Sequence, residues 1–321
     1  MNRPPGSGRG DLDEVAEGDA AAEAVAEAAR RTTSRRELAR HEWFASVSPE
    51  VGELDEGALD ELLERDPDAA LALLADLNSA TDERLRRLAH ALSARIVVEV
   101  ARRGPTHRPG VGRQHRVPLD RPGADLDLDA SLDAIVAARL SRTRPAVEEL
   151  VGRAWERPDT ALCLLVDRSG SMHGDRLATA AVTAAAVSLR APQDCSVVAF
   201  AGDALVLASQ GRPRPPGDVV VDLCRLRGAG VTDLGLALRV AVEQLSRSRA
   251  ARRVAVLLSD CRVTSGGDPD DDAQALDELV VLAPGDDTAD AEALAARLGV
   301  RWAPLHGPAD APAAVAGLLE R

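Results

Sequence analysis

One carboxylate and two hydroxyls stand at alternating positions in Asp167-Arg168-Ser169-Gly170-Ser171. Three hard oxygen donors on one tight loop suit Mg²⁺, Mn²⁺ or Ca²⁺ and not a soft metal. The apolar run just before them, Ala161-Leu162-Cys163-Leu164-Leu165-Val166, reads as a buried strand of a parallel sheet. Open α/β sheets take their ligands at the carboxyl ends of such strands. The same five residues would also serve as an Asp/Ser-rich turn capping a helix that starts near Asp175.

Two further segments favour the cation. Gly228-Ala229-Gly230-Val231-Thr232-Asp233-Leu234 is a glycine-rich turn ending in a hydroxyl, ahead of the helical pattern Leu234, Leu238, Ala241, Leu245. A second apolar run, Val254-Ala255-Val256-Leu257-Leu258-Ser259, delivers another carboxylate at its end, Asp260. The trio resembles the von Willebrand factor A (VWA) domain and its metal-ion-dependent adhesion site, whose pattern is DxSxS, then a Thr, then an Asp. Asp167, Ser169, Ser171, Thr232 and Asp260 fill all five positions. The resemblance covers about Thr160 to the C-terminus.

The resemblance implies direct metal binding by the Ser169 and Ser171 hydroxyls. It implies direct binding by Thr232 in a ligand-engaged state, and by Asp167 and Asp260 directly or through water. Two carboxylates neutralise a divalent cation while hydroxyls leave it electron-poor, so an open position attracts an acidic group from a partner. Mg²⁺ is the first expectation, with Mn²⁺ or Ca²⁺ as the others. One residue departs from the family, in which glycine commonly follows the last aspartate; here it is Cys261. A side chain there could restrict access to the metal or change how the loop moves. A thiol is a poor Mg²⁺ ligand, so packing is its expected role. His173 is expected to shape the rim of the metal loop.

The elements that must position these residues follow from periodicity. From residue 159 to 321 strand and helix alternate: strand 161–166, helix 175–190, hairpin 195–207, helices 216–226 and 233–247, and strand 253–259. Short strands near 278–282 and 300–304 then alternate with helices near 287–297 and 309–320. This specifies an α/β fold, a doubly wound, mostly parallel, Rossmann-like sheet. Residues 35–103 read as a small all-helical domain, with Trp43 and Phe44 as anchors, Asp55 and Thr81 as caps, and Leu85, Leu88, Leu92, Ile96 and Val100 at helical spacing.

Residues 1–34 hold seven acids and no base between Asp11 and Glu27, which predicts a disordered acidic tail. Residues 104–158 read as a basic Gly/Pro/Arg loop (Arg108, Arg113, Arg116, Arg121) followed by a short strand at Asp125–Asp129. Connecting helices are expected at Ser131–Leu140 and Pro145–Trp155.

Composition excludes several chemistries. The 321 residues carry a net charge of −13, which opposes general nucleic-acid binding. No lysine occurs, so a Walker A loop, a kinase strand lysine and a Schiff-base lysine are all ruled out. Any nucleotide hydrolysis linked to this protein belongs to another chain. Asp268-Pro269-Asp270-Asp271-Asp272 mimics an EF-hand start, but Ala273 and Leu279 stand where glycine and the bidentate glutamate are needed. No GxSxG elbow surrounds Ser169 or Ser171. Cys163, Cys195, Cys224 and Cys261 have no CxxC spacing and read as buried thiols in a reducing compartment. With no signal-peptide pattern and no run of about 20 apolar residues, a cytoplasmic protein is expected.

A helical N-terminal region before a C-terminal A domain is similar to bacterial CoxE-like proteins and the A-domain subunits of magnesium chelatases. That likeness implies a non-enzymatic adaptor working with a MoxR-type AAA+ ATPase in maturation or metal-cofactor insertion of client proteins. A Ro-like RNA-binding role through the 104–121 loop is the alternative, with a metal-dependent hydrolase behind it, since no positioned general base is visible.

Overall fold

The computed structural model describes residues 15–103, 113–119, 125–141, 143–156, 160–168, 174–226, 228 and 230–320. They form two units: one made of the chain up to Thr106 and from Thr160 onward, and one of His107–Asp159. The first unit opens with β1 (Val15–Glu17), α1 (Asp19–Ala28), α2 (Arg35–Leu38), α3 (Phe44–Val47), α4 (Glu56–Arg65), α5 (Pro67–Leu77) and α6 (Glu83–Arg102). The second unit holds β2 (Arg113–Pro118), β3 (Asp125–Leu126), α7 (Leu128–Leu140) and β4 (Val151–Glu156). The first then resumes with β5 (Thr160–Asp167), α8 (Asp175–Arg190), β6 (Cys195–Phe200), β7 (Ala204–Ala208), α9 (Pro216–Arg225) and α10 (Leu234–Ser246). It ends with β8 (Arg252–Leu258), α11 (Asp270–Gln274), β9 (Leu279–Pro284), α12 (Ala289–Leu298), β10 (Arg301–Leu305) and α13 (Ala311–Leu319).

The main sheet runs β1-β7-β6-β5-β8-β9-β10. Every neighbouring pair is parallel except the β6/β7 hairpin. β5 is central, and its alternation divides the core. Leu162, Leu164 and Val166 face α8, α9 and the N-terminal helices, while Ala161, Cys163 and Leu165 face α10 and α12. All six side chains are at most 1% exposed, as expected of a strand covered on both faces. The doubly wound sheet expected from the sequence is therefore present, with its strands and helices within a few residues of their expected bounds.

Residues 35–103, expected as a separate helical domain, instead share one buried core with the sheet unit. Leu71, Leu73, Leu74 and Leu77 of α5 and Leu85, Leu92 and Ile96 of α6 join one buried cluster with α8, α9 and the sheet. α5 packs on α8, and α6 packs on both α8 and α9. The cause lies in α8: from Leu177 to Ser188 all but Thr179 are buried, so one face meets the sheet and the other needs a second helical layer. Asp82, rather than Thr81, caps α6 by accepting the Leu85 N–H at 2.8 Å.

The acidic tail is ordered from Val15, while residues 1–14 lie outside the described part. Val15–Glu17 pairs in parallel with Ala204–Val206 of β7, and α1 follows. Glu17 is pinned by Arg247, whose guanidinium nitrogens lie 2.5 and 3.0 Å from its carboxylate oxygens. That hydrogen bond holds the Glu17 carboxyl down at about 2. Because the folded value lies below the ordinary 4.5, the pair contributes fully above pH 4.5 and is lost as pH falls toward 2. Hydrogen exchange is expected to show the β1 amides losing protection across that window before the β5 amides do, and Glu17→Gln should flatten the dependence.

In the second unit β4 pairs antiparallel with both β2 and β3. The helix expected at 145–155 is instead a single 3₁₀ turn at Val147–Glu149 followed by β4. Gly152 weakens a helix there, and two strands satisfy the backbone of an extended segment. Arg113–Pro118, expected as loop, is strand β2 for the same reason. Asp127 caps α7 through the Ala130 N–H and receives Arg153 at 2.8 and 3.1 Å, which lowers its carboxyl. Arg116 of the expected basic loop also reaches Asp127, at 3.5 Å. Arg108 and Arg121 lie outside the described residues, as does the side chain of Arg113.

Candidate metal centre

β5 and β8 are adjacent, with Val166 opposite Leu258, so Asp167 and the Ser259-Asp260 pair leave neighbouring strand ends at the carboxyl edge. Ser259, 3% exposed, joins them. Its hydroxyl donates to Asp167 Oδ2 at 2.5 Å and accepts the Cys261 N–H at 2.8 Å. Asp260 Oδ1 accepts the Arg262 N–H at 2.9 Å, which turns the chain back on itself. Periodicity assigned Ser259 to a strand and missed this role. A hydroxyl at the end of an otherwise aliphatic run was the available signal.

Cys261 is the only non-glycine with positive φ among the described residues, at 62°. That left-handed conformation suits the glycine that the resemblance leads one to expect here, since a side chain there costs about 1–2 kcal/mol. Cys261 meets the cost by packing: it is 6% exposed and belongs to the α10 face of the core. Burial, with Asp260 and Asp167 nearby, pushes its thiol up to about 12. Cys261→Gly is therefore expected to fall within about 1 kcal/mol of the parent, because lost packing offsets relieved strain. Cys261→Val, β-branched in a left-handed site, should lose about 2 kcal/mol or more. Thermal melts of the two variants check the pair.

Thr232, 3% exposed, sits on a loop held from several sides. Its N–H donates to Thr264 Oγ1 at 2.7 Å, and its carbonyl accepts the Thr264 and Ser265 N–H groups at 3.1 Å. Thr264 lies on the loop that begins at Asp260, so the two loops are stitched together. Asp233 caps α10 through the Leu236 N–H at 2.9 Å, and its own N–H reaches Ala201 on the β6–β7 turn. Gly266, φ +83°, lets the chain pass Asp233, whose carboxylate would lie 2.4 Å from any added Cβ. Arg168, next to Asp167 and buried, pairs with Asp203 on that same β6–β7 turn. It is a second residue that the motif alone did not single out.

Asp167, Ser259 and Asp260 line a cleft of about 810 Å³. His41, Trp43 and Asp66 of the N-terminal helical segment line it too. Burial and the charge of Asp68 raise the carboxyl of Asp175 at its edge, the mark of a crowded acidic environment. Ser169, Ser171 and His173 lie outside the described residues. Among the described residues no group of three His, Cys, Asp or Glu side chains forms a metal cage. The donor set expected here is two carboxylates and three hydroxyls. Carboxylates from neighbouring strand ends, open to a cleft and tied to the threonine loop, fit a hard cation.

The doubly wound sheet carries Asp167 and Asp260 at the carboxyl ends of the adjacent strands β5 and β8, the placement that the VWA resemblance implies. The family model for "VWA domain containing CoxE-like protein" matches residues 88–284. The chain belongs to that family. The matched span starts within α6 and takes in the 107–159 unit as well as the sheet through β9.

Several solved structures are similar. A von Willebrand factor type A protein from Catenulispora acidiphila is 22% identical over 50% of this chain and 42% of its own, with a TM-score of 0.40. An aerotolerance-related membrane protein from Bacteroides fragilis is 16% identical over 50% of this chain and 97% of its own, also at 0.40. The manganese-loaded TRAP protein of Plasmodium vivax is 14% identical over 46% and 68%, at 0.36. The chain thus spans less than half the length of the Catenulispora protein. No curated protein matches it.

Proposed function

We propose that the protein is a non-enzymatic adaptor that holds a divalent cation, Mg²⁺ in the first place, at Asp167, Ser169, Ser171, Thr232 and Asp260. Through that cation it would grip an acidic side chain of a MoxR-type AAA+ ATPase or of its client during maturation or metal-cofactor insertion. The observation that carries the reading is the pair Asp167 and Asp260, tied through Ser259 and lining one open cleft. Membership in the CoxE-like family supports the choice of partner. The absence of lysine from the sequence supports leaving P-loop nucleotide chemistry to that partner.

When bound, the cation would supply an electron-poor centre that draws a carboxylate. The chain's own residues do the rest. Asp167 and Asp260 bring negative charge, Ser259 fixes the orientation of Asp167, and Thr264 ties the Thr232 loop to the Asp260 loop. A cleft of about 810 Å³ has room for a partner segment beside the ion. We set this work in the cytoplasm, where the four buried cysteine thiols would stay reduced. No helix among the described residues is long and apolar enough to cross a membrane.

Affinity capture on the immobilised full chain tests the adaptor reading. A MoxR-type ATPase or its client should be retained in Mg²⁺ and released by EDTA. Retention that ignores EDTA, or phosphatase or esterase turnover with Mg²⁺ or Mn²⁺, would overturn it.

A further inference from the structure

The segment that carries Ser169 and Ser171 must end by turning into α8, and it does so at Gly174, φ 55°. Gly174 has no side chain to cap that helix, and its own N–H finds its acceptor on a distant residue. The Gly174 N–H donates to Asp76 Oδ1 at 3.0 Å. Asp76 is the penultimate residue of α5, and its Oδ2 lies 2.9 Å from His41 Nε2. Its side chain is 14% exposed, and the neighbouring Leu73, Leu74 and Leu77 are buried, so the acceptor is held by a packed helix.

The other end of α5 is tied separately. Asp68 Oδ1 accepts the Ala309 N–H at 2.8 Å, and a Cβ on Gly307 would come within 2.2 Å of Asp68 Oδ2. One helix therefore clasps two loops at the carboxyl edge of the sheet, and among the described residues it is the Asp76 end that hydrogen-bonds Gly174.

We propose that Asp76 is a positioning residue for the metal loop: by holding the Gly174 N–H it fixes where the segment bearing Ser169 and Ser171 ends, and so sets cation affinity. This rests on the metal reading above. The physical basis is general. Groups that orient metal ligands from outside the coordination sphere typically change affinity 10- to 100-fold when removed. A carboxylate at a helix N-terminus also has a plain structural use, since it caps exposed N–H groups and complements the helix dipole. The two roles separate by what each variant does to affinity and to stability.

The test is calorimetric titration of the full chain with MnCl₂, with thermal melts alongside. Asp76→Ala is expected to bind Mn²⁺ roughly 10- to 100-fold more weakly than the parent. Asp76→Asn keeps an oxygen acceptor without the charge and should stay within a few-fold of the parent. Asp68→Ala, on the same helix, removes a charge near Asp175 but not the Gly174 acceptor, so it should lower stability and change affinity by no more than a few-fold. If Asp76→Ala does not fold, Asp76→Glu, which displaces the acceptor by one methylene, carries the same expected loss.

The proposal is overturned if Asp76→Ala binds like the parent or no worse than Asp68→Ala. It is also overturned if Asp76→Asn falls as far as Asp76→Ala, because charge and not position would then govern affinity. Asp167→Ala separates the two levels: if it binds Mn²⁺ like the parent, the metal reading itself fails and takes this proposal with it. If Asp167→Ala loses binding while Asp76→Ala keeps it, only the positioning role fails.

Discussion

Asp167→Ala is expected to weaken Mg²⁺ binding by at least about a hundredfold, beyond the 10- to 100-fold that groups outside the coordination sphere command. The chain should still fold. Asp167 is partly exposed at the last position of β5, beyond the six buried aliphatic and thiol side chains that anchor the strand. The Ser259 hydroxyl loses one acceptor but keeps the Cys261 N–H. Removing one of two neighbouring carboxylates also relieves charge repulsion when no cation is bound.

Linkage gives the readout. A ligand present at a hundred times its dissociation constant stabilises the folded chain by about 2.7 kcal/mol. For a domain of this size that is a rise in melting temperature on the order of 5–10 °C. The parent should show this rise in Mg²⁺ and the variant should not. Equal rises would mean that the cation binds elsewhere.

The second large effect concerns the layer over α8. A chain lacking residues 1–103 is expected to be insoluble or molten, although it keeps the central strands and all five site residues. Leu71, Leu73, Leu74 and Leu77 of α5 are each at most 1% exposed, and they bury a comparable apolar area on the helices beneath. Each such leucine is worth about 1.5–3 kcal/mol. Four of them therefore rival the whole net stability of a domain, ~5–15 kcal/mol. Cutting the layer away would uncover the outer faces of α8 and α9 and the clasps on Gly174 and Ala309. Dye binding and near-ultraviolet circular dichroism would show exposed apolar surface without fixed packing. A monomeric, cooperatively melting fragment would refute the expectation.

That layer also shows what the sequence did and did not disclose. The alternation Ala161–Val166 and the donors at its end were readable because a fully buried strand has few other sequences open to it. The helices of 56–102 were readable from their caps and leucine spacing. The cover over α8 was not read, though the signal existed: Leu177-Ala178-Thr179-Ala180-Ala181-Val182-Thr183-Ala184 carries no charge, and a helix so nearly apolar on every side needs cover on nearly every side. β1 and β4 were missed for another reason. Three residues at an edge, or six with a glycine at the second position, owe their strand state to partners far along the chain, which no local window contains. Within the site, the spacing offered five donors, of which Asp167 and Asp260 line the cleft. It left out Ser259 and Arg168, whose parts depend on which strand ends lie side by side.

The pairing of Val15 with Ala204 bears on how the molecule is made. Strand β1 finds its place only after β7 has been synthesised, and α5 and α6 likewise wait for α8. Contacts between segments so far apart slow folding, because chain entropy must be given up before any contact repays it. During that wait the leucine faces of α5 and α6 stand open to other chains, as does the β7 edge once it forms. Holding chaperones are thus expected to matter most while the middle of this polypeptide is being synthesised, and an N-terminal fragment released early would be their natural client.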